Sequence, residues 1–422
     1  MILAVLQASV LQTNGALSVA AGAQVTVRTP AGALATLYTD RAGTTPAGNP
    51  VTADSSGFFR VYVAPGRYDV TVTTSSGAQV YKDSALFADG FAPEYFGLEY
   101  EPSVLPTISS DFERNKHELY GQYGNEPKTI LQTWTTTRAT TGTYRDAAGV
   151  IRTAGIDEPR VDYDPVTGRG ALLVEGARTN LLLNSDTLST QNVSVAGVAH
   201  TLHFTGTGTV TLSGAATGEL VGAGDGEINR VSLTFTPSAG TLTLTVSGSV
   251  KFSQLEAAST PSSYIKTEAS QATRSADNVS RVLGSEFTAD GFTVFGEFIF
   301  KRLDVSNRTL AIGTGSTNRI ELLNDGLVTR VAGGTVRVIG FPSMNAGTKY
   351  KLAYSATRTA VTLSINGALI GSVAVDDALL TATRLWLSGN ASGAGEPTIS
   401  YSSAKYIPRA LSNAELQEIT KP

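Results

Sequence analysis

At 422 residues the chain has length for roughly two to four domains, each with its own core. Charged residues are 16% and the formal net charge is -4 without a basic run, so the positive footprint of a nucleic-acid binder is missing. Cysteine is absent, which excludes a disulfide scaffold, a thiolate metal site and a cysteine nucleophile; no apolar stretch reaches the ~18 residues of a membrane helix. The 43 glycines and 16 prolines, set among recurrent Thr, Ser, Val and Ala, suit short strands and tight turns and predict an all-β chain.

The first unit is expected over residues 1–92. Met1 to Val10 is apolar but lacks the basic start of a secretory leader, and Ser9 to Gly15 reads as a strand running into a turn at Asn14-Gly15. Val25 and Val27 alternate with polar residues, as do Phe59, Val61 and Val63, and Val70 and Val72; Pro65-Gly66 lies between the last two runs as a turn. Period-two patterning of this kind puts one face of each strand on a core, and predicts a small antiparallel sandwich. Residues 93–130 differ. Aromatic and proline residues cluster from Phe91 to Pro106 without period, and Ser110-Asp111-Phe112-Glu113 matches a capping box opening a short helix that ends between Gly121 and Gly124. This stretch is expected to be a linker or neck.

The second unit is expected over residues 131–280. Val231–Phe235 and Thr241–Val246 alternate strictly, with Pro237-Ser238-Ala239-Gly240 as the turn between them. The third spans 281–422. Phe292–Phe300 is a strong strand, and Val361–Ile365, Asn366-Gly367, Ala368–Val373 is the best hairpin signal in the chain, because Asn and Gly both tolerate positive φ. Ser412-Asn413-Ala414-Glu415 is a second capping box, with Leu416 and Ile419 on one side of a short terminal helix. No repeat of fixed period is present, which argues against a solenoid or propeller.

Residues able to carry chemistry are few. His200 and His203 are three apart in a strand-like run and face opposite ways, so they predict packing rather than a metal pair; His117 is the third histidine. Asp162 and Asp164 lie two apart and are a calcium candidate by type, but Asp164-Pro165 followed by Thr167-Gly168 is a sufficient turn; Asp225 with Glu227, and Asn324 with Asp325, read the same way. Gly313-Thr314-Gly315-Ser316 lacks the Lys and helix of a phosphate loop and predicts a hairpin turn. No nucleophile elbow is found. Trp134, Trp386, Tyr354 and Tyr401 are stacking candidates for a sugar ring by residue type, with Trp386 expected in the sandwich core.

Three stretches resemble bacteriophage tail and fibre proteins. One is Gly142 to Ser185, through Tyr144–Arg152, Pro159–Pro165 and Leu172–Leu182; the second is Gln254–Ala257 with Pro261–Ile265. Together they bracket a jelly-roll-like module similar to carbohydrate-binding modules. The third, Ile365-Asn366-Gly367 with Tyr406–Leu416, resembles laminin-G and concanavalin-like lectin domains, and Gly57 to Val72 is similar to carboxypeptidase regulatory-like sandwiches. Between Asn184 and Val231 the chain is shorter and richer in Gly and Thr than that family, so a binding loop there is expected to be trimmed.

The expected fold is therefore three antiparallel β-sandwich, jelly-roll-like domains (1–92, 131–280, 281–422) with a neck at 93–130. The resemblance implies a non-enzymatic, tail-fibre-like virion protein, made in the host cytoplasm and homotrimeric. Its N-terminal domain would attach to other virion proteins, and it would adhere to host surface polysaccharide, without nucleic acid or membrane insertion. A purely structural capsid-decorating or head-anchored fibre or connector is the alternative, and a polysaccharide-degrading tailspike the second. No catalytic, metal or cofactor residue and no cofactor is assigned, and no carbohydrate-binding residue is singled out.

Overall fold

The computed structural model describes residues 4–87 and 107–422, except 10, 14–16, 20, 30, 41–42, 56, 65, 75–78, 122–123, 285–286, 288–290, 303–307, 316–317, 331–335, 376–381 and 389–397. About 53% of it is strand and 4% helix, in antiparallel sheets without a barrel, which makes the protein an all-β sandwich protein. It divides into two compact units, Met1–Tyr100 and Glu101–Pro422.

The N-terminal unit packs two four-stranded sheets. One holds Ala4–Ser9, Phe58–Val63, Leu37–Tyr38 and Pro46–Ala47; the other Gln79–Phe87, Gly66–Thr73, Gln24–Arg28 and Val51–Thr52. The alternation read from sequence places Val25, Val27, Phe59, Val61, Val63, Val70 and Val72 in the core between them. Phe58–Val63 and Gly66–Thr73 lie in opposite sheets, so the chain crosses the sandwich after Val63 instead of folding back as a hairpin. Pro65 and the expected Asn14-Gly15 turn lie outside the described residues; the strands flanking the latter, Leu11–Thr13 and Leu17–Val19, pair antiparallel.

The second unit holds two cores. The larger lies between a ten-stranded and a seven-stranded sheet. The central strand of the former, Thr398–Ile407, pairs with Phe292–Arg302 on one side, and on the other with Ile108–Asp111 and Gly170–Val174. Lys349–Ala356, Ala360–Ile365 and Ala368–Ala374 extend it beyond Phe292–Arg302. Asn366 (φ +48°) and Gly367 (φ +79°) form the expected turn, both left-handed as a two-residue hairpin of that type requires. Phe292, Phe298, Phe300, Tyr354 and Tyr401 are fully buried, each contributing about 1.5–3 kcal/mol by leaving water.

The smaller core, from Leu182 to Leu255, belongs to a sandwich inserted within the larger one. Its sheets are Gln191–Val195, Gly240–Ser247, Thr209–Gly214 and Gly218–Val221, facing Val231–Phe235, His200–Thr205 and Lys251–Glu256. Val231–Phe235 and Gly240–Ser247 form as predicted, again in opposite sheets.

The neck reading is corrected over residues 107–128. Ser110 does not cap a helix: Ile108–Asp111 is a strand in the ten-stranded sheet, continued by the hairpin Lys116–Gly121 and Gly124–Lys128. The Ser110 hydroxyl is buried, accepting the Trp134 indole N–H at 2.8 Å and lying 3.0 Å from His117 Nδ1. Pairing along a central strand outweighs a local cap worth about 1 kcal/mol. The helix that does form there, Ile130–Thr133, uses Thr129 and Gln132 as its capping box. Residues 91–106, with the aromatic cluster, lie outside the described residues. The unit from 107 to 174 thus packs with 279–422 in one core, and the inserted sandwich interrupts that core's sequence.

Candidate functional site

Along the seam between the inserted sandwich and the large one, buried charge replaces apolar packing. Arg138, Arg160, Arg274, Glu175 and Asp277 are each about 1% exposed. Arg160 binds Glu175 at 2.8 Å and also Asp277, whose second oxygen takes Arg138 at 2.8 Å. Arg274 lies 3.4 Å from Glu175. Buried ions persist only when paired and hydrogen-bonded, and here sequence-distant segments supply the partners. Burial alone would raise the Glu175 carboxyl, but Arg274, Arg160 and hydrogen bonds from Ser263 outweigh it and hold it far below the usual carboxylate range. The same opposition, burial against Asp277 and Glu175, leaves the Arg160 guanidinium raised.

This network fixes the loop 261–264. Glu175 accepts from the Ser263 N–H (2.9 Å) and hydroxyl (2.6 Å); Glu256 accepts from the Ser262 N–H (2.7 Å) and hydroxyl (2.9 Å). Beside Glu256, His203 is wholly buried, with Arg230 Nε 2.9 Å from its Nδ1 and Glu256 3.5 Å from its Nε2. Burial, then the Arg230 charge, push His203 down to about 4 against the pull of Glu256, so it is neutral at pH 7.

Above that floor opens a cleft of about 120 Å3. It is lined by Tyr144 and Arg145 from the hairpin Gly142–Arg145 and Ile151–Ala154, and by Asp162, Glu227, Arg230 and Lys301. Asp162 receives the Arg145 backbone N–H (2.7 Å) and Nη2 (2.6 Å), and Arg230 lies 3.6 Å from Glu227 while donating to the Ser262 carbonyl at 2.6 Å. Arg145 and Arg230 each keep 20% of the side chain exposed. The wall therefore offers donors and acceptors already neutralised in pairs and held rigid, next to a half-buried tyrosine ring. Such a surface suits a neutral or weakly charged polyhydroxylated ligand better than a bare ion.

No protein-family model matches the sequence, and no curated protein matches it either. Solved structures do. The CBM40 module of a Ruminococcus gnavus IT-sialidase matches 32% of this chain and 84% of its own, at 16% identity and TM-score 0.28. Domain 4 of AbnA, a GH43 extracellular arabinanase from Geobacillus stearothermophilus solved with arabinotriose, matches 38% of this chain and 81% of its own, at 16% identity and TM-score 0.31. A structure described as a receptor binding domain matches 34% of this chain and 38% of its own, at 12% identity and TM-score 0.27. Matches of this extent concern strand arrangement over about a third of the chain; what those proteins bind is a property of theirs.

The residues weighed from sequence fall mostly outside the cleft. All four aromatic candidates are buried, each 5% exposed or less, so none can stack on a sugar: Trp134, Tyr354 and Tyr401 belong to the large core, and Trp386 lies outside it. Trp386 was expected in the sandwich core; it is buried, but Leu385 and Leu387 of the same run fill that core and alternation along the strand turns Trp386 to the other face. Tyr354 and Tyr401 turn inward and donate to the Leu310 and Leu387 carbonyls. His117 and His200 are buried, His200 with Nδ1 2.8 Å from the Val198 carbonyl. Asp162 is engaged by Arg145, and Asp164 closes its own turn through Val166 and Thr167. Asp225 pairs with Lys251 at 3.1 Å, while Glu227 turns to Arg230. Asn324 and Asp325 form the link between Arg319–Leu323 and Gly326–Arg330. Gly313 to Gly315 begin the expected hairpin link, with the Thr314 N–H donating to the Asn318 carbonyl, and Ser316 lies outside the described residues. Among the described residues, no group of three or more His, Cys, Asp or Glu is placed to hold a metal. Sequence reading gave no role to Arg230, Lys301 or Tyr144; Tyr144 stood inside a family-like stretch, and nothing in one sequence marks the others.

Proposed function

We propose that this chain is a non-enzymatic, tail-fibre-like structural protein of a bacteriophage virion that binds a surface glycan, and that the cleft between Tyr144, Arg145, Glu227 and Arg230 takes the saccharide. The observation that carries the binding half is the cleft itself: paired, rigid hydrogen-bonding groups of both signs beside a tyrosine, on a floor locked by buried ions. Sugar hydroxyls both donate and accept, and such a wall meets them without paying to order itself. The virion half, with homotrimeric assembly, attachment through the N-terminal domain and synthesis in the host cytoplasm, rests on the family-like stretches around Tyr144 to Leu182 and Gln254 to Ile265. Three copies of a weak site would give avidity.

Binding is favoured over cleavage by the state of the cleft's carboxylates. Asp162 and Glu227 are each engaged by an arginine, and on the floor Arg274 and Arg160 hold the buried Glu175 carboxyl far below the usual carboxylate range despite its burial. A glycosidase needs one carboxyl kept protonated to release the leaving group.

The test is binding of the full-length protein to an array of bacterial surface polysaccharides, alongside Tyr144→Ala and Lys301→Ala. Selective binding by the parent, weakened about tenfold or more by Tyr144→Ala, supports the reading. No binding by a folded, oligomeric parent overturns adhesion in favour of a purely structural connector. Release of new reducing ends from an arrayed polysaccharide would move the protein to the degrading tailspikes.

A further inference from the structure

On the inserted sandwich, one aromatic side chain is held outward at a conformational cost. Phe252 has φ +47°, a left-handed backbone that bulky side chains rarely adopt. The cause is a bulge: His203 pairs with Gln254 and Thr205 with Lys251, so Phe252 and Ser253 together oppose Phe204. Ser253 goes inward, fully buried, and Phe252 is left 36% exposed. Positive φ at a phenylalanine is a position where glycine would be unstrained, and strain of this kind concentrates at functional sites.

What surrounds the ring is polar and fixed. Phe252 meets Tyr264 edge-to-face, with centroids 5.4 Å apart and planes at 84°. In that arrangement Tyr264 covers at most one face of the phenyl ring, whichever ring presents its edge. The Tyr264 hydroxyl is 2.7 Å from both Ser185 Oγ and Asp186 Oδ1, and Lys266 Nζ pairs with the other Asp186 oxygen at 2.7 Å. Asp186 and Phe252 are backbone neighbours, the Phe252 N–H pointing to the Asp186 carbonyl at 3.4 Å. Asp186 and Lys266 side chains are both about half exposed. An apolar ring face beside an anchored carboxylate and an ammonium is the combination that grips a pyranose, whose C–H face stacks while its hydroxyls bond at the edge.

We propose that Phe252, with Asp186 and Lys266, is a second saccharide-binding subsite, on the inserted sandwich and separate from the cleft at Tyr144. The subsite rests on the glycan-binding reading and adds to it a specific place and an aromatic requirement. Tyr264 joins the two: its backbone carbonyl accepts from Thr143 at the cleft, and its ring supports Phe252.

The test uses the full-length protein on the same polysaccharide array, with Phe252→Leu, Phe252→Tyr and Tyr144→Ala, each checked for an unchanged melting temperature. Leucine fills similar apolar space without a stacking face; tyrosine keeps the face. The expected result is a loss of about tenfold or more in apparent affinity for Phe252→Leu, with Phe252→Tyr within about twofold of the parent. If Phe252→Leu binds like the parent while Tyr144→Ala does not, the subsite is overturned and the cleft stands. If the parent binds nothing on the array, both fall together. Should Phe252→Leu melt lower than the parent, Lys266→Met decides, because its side chain is 55% exposed and its ion pair lies at the surface: unchanged binding would sink the subsite.

Discussion

Between its two sheets the large sandwich buries Phe292, Phe298, Phe300, Tyr354 and Tyr401, whereas the seam beside it buries Arg138, Arg160, Arg274, Glu175 and Asp277. The aromatic core is non-directional: rings touch at centroid distances of 5.3 to 5.9 Å in tilted, stacked and edge-on pairs, and similar volumes in other arrangements would fill the same space. The ionic seam is directional. Each carboxylate oxygen has named donors, and those donors sit on segments far apart in sequence. Apolar packing suffices to make the sandwich; charge is used where one geometry must be held. The seam carries the cleft, and the loop 261–264 takes its position from Glu175 and Glu256.

Breaking the seam gives the largest expected effect. Asp277→Asn keeps the side-chain shape and removes the negative charge shared by Arg138 and Arg160, leaving buried guanidiniums under-compensated at a cost of about 3–5 kcal/mol in denaturant unfolding. A core truncation such as Leu352→Ala costs a similar amount, about 2–5 kcal/mol, through lost contacts and a cavity. The two differ in where the looseness appears. Amide exchange over 142–145 and 261–264 should rise in Asp277→Asn and stay near the parent in Leu352→Ala. Equal loosening in both variants would mean that the seam does not hold the cleft independently of the core.

Each region also carries one buried histidine, and both make the fold sensitive to acid. His117 packs beside Phe112 and Ser110 on the large sandwich, and burial lowers it to about 4; His203 in the seam is lowered to about 4 by burial and then by Arg230. An unfolded histidine titrates near 6.5, above the folded value, so as pH falls the unfolded chain takes the proton first. Stability is therefore intact above about pH 6.5, falls between about 6.5 and 4, and levels for these groups once the folded rings also protonate, each contributing up to about 3 kcal/mol. His117→Asn or His203→Asn should flatten that slope. Arg230→Gln should raise the titration midpoint of the His203 ring and leave that of His117 unmoved, as read from their imidazole proton shifts. A midpoint that does not move would remove Arg230 as a cause.

How far these regions were legible differs in the same way. Strands whose faces alternate were readable, as at Val231–Phe235, and so was the Asn366-Gly367 turn, because the signal is local. Ser110 misled because its local cap lost to pairing with Thr398–Ile407, a contact almost three hundred residues away in sequence. Residue type did not reveal exposure: Trp134 and Tyr401 look like sugar platforms and are core, while Phe252 faces out only because a bulge turns it. The stretches that resemble tail proteins supply part of the buried polar network, Arg160, Glu175, Gln254 and Glu256, while Arg138, Arg274 and Asp277 lie outside them. Their spacing in sequence gave no hint that they converge, since Glu175 and Ser263 meet only across the seam.

The smallest predicted effect tests whether the two regions are separable. The helix Asn413–Ile419 lies against the large sandwich with Leu416 and Ile419 buried, and its first turn is closed by Ser412 and Glu415, each side chain meeting the other's backbone N–H. Arg409 also pairs with Glu415, and that bond above all, against a smaller burial penalty, holds the carboxyl at about 2. Ser412→Ala removes one cap acceptor and leaves the Arg409 pair in place, so it should cost about 1 kcal/mol in denaturant unfolding. Because the helix touches only the strands Lys349–Ala356, Ala360–Ile365 and Ala368–Ala374 among its stronger contacts, that loss belongs to the apolar region alone. Array binding and the exchange of 261–264 should both stay at the parent's values. A cap lost so far from the seam that nonetheless loosened the cleft would show that the sandwich transmits strain to the ionic region, and that holding the site is a task of the whole unit.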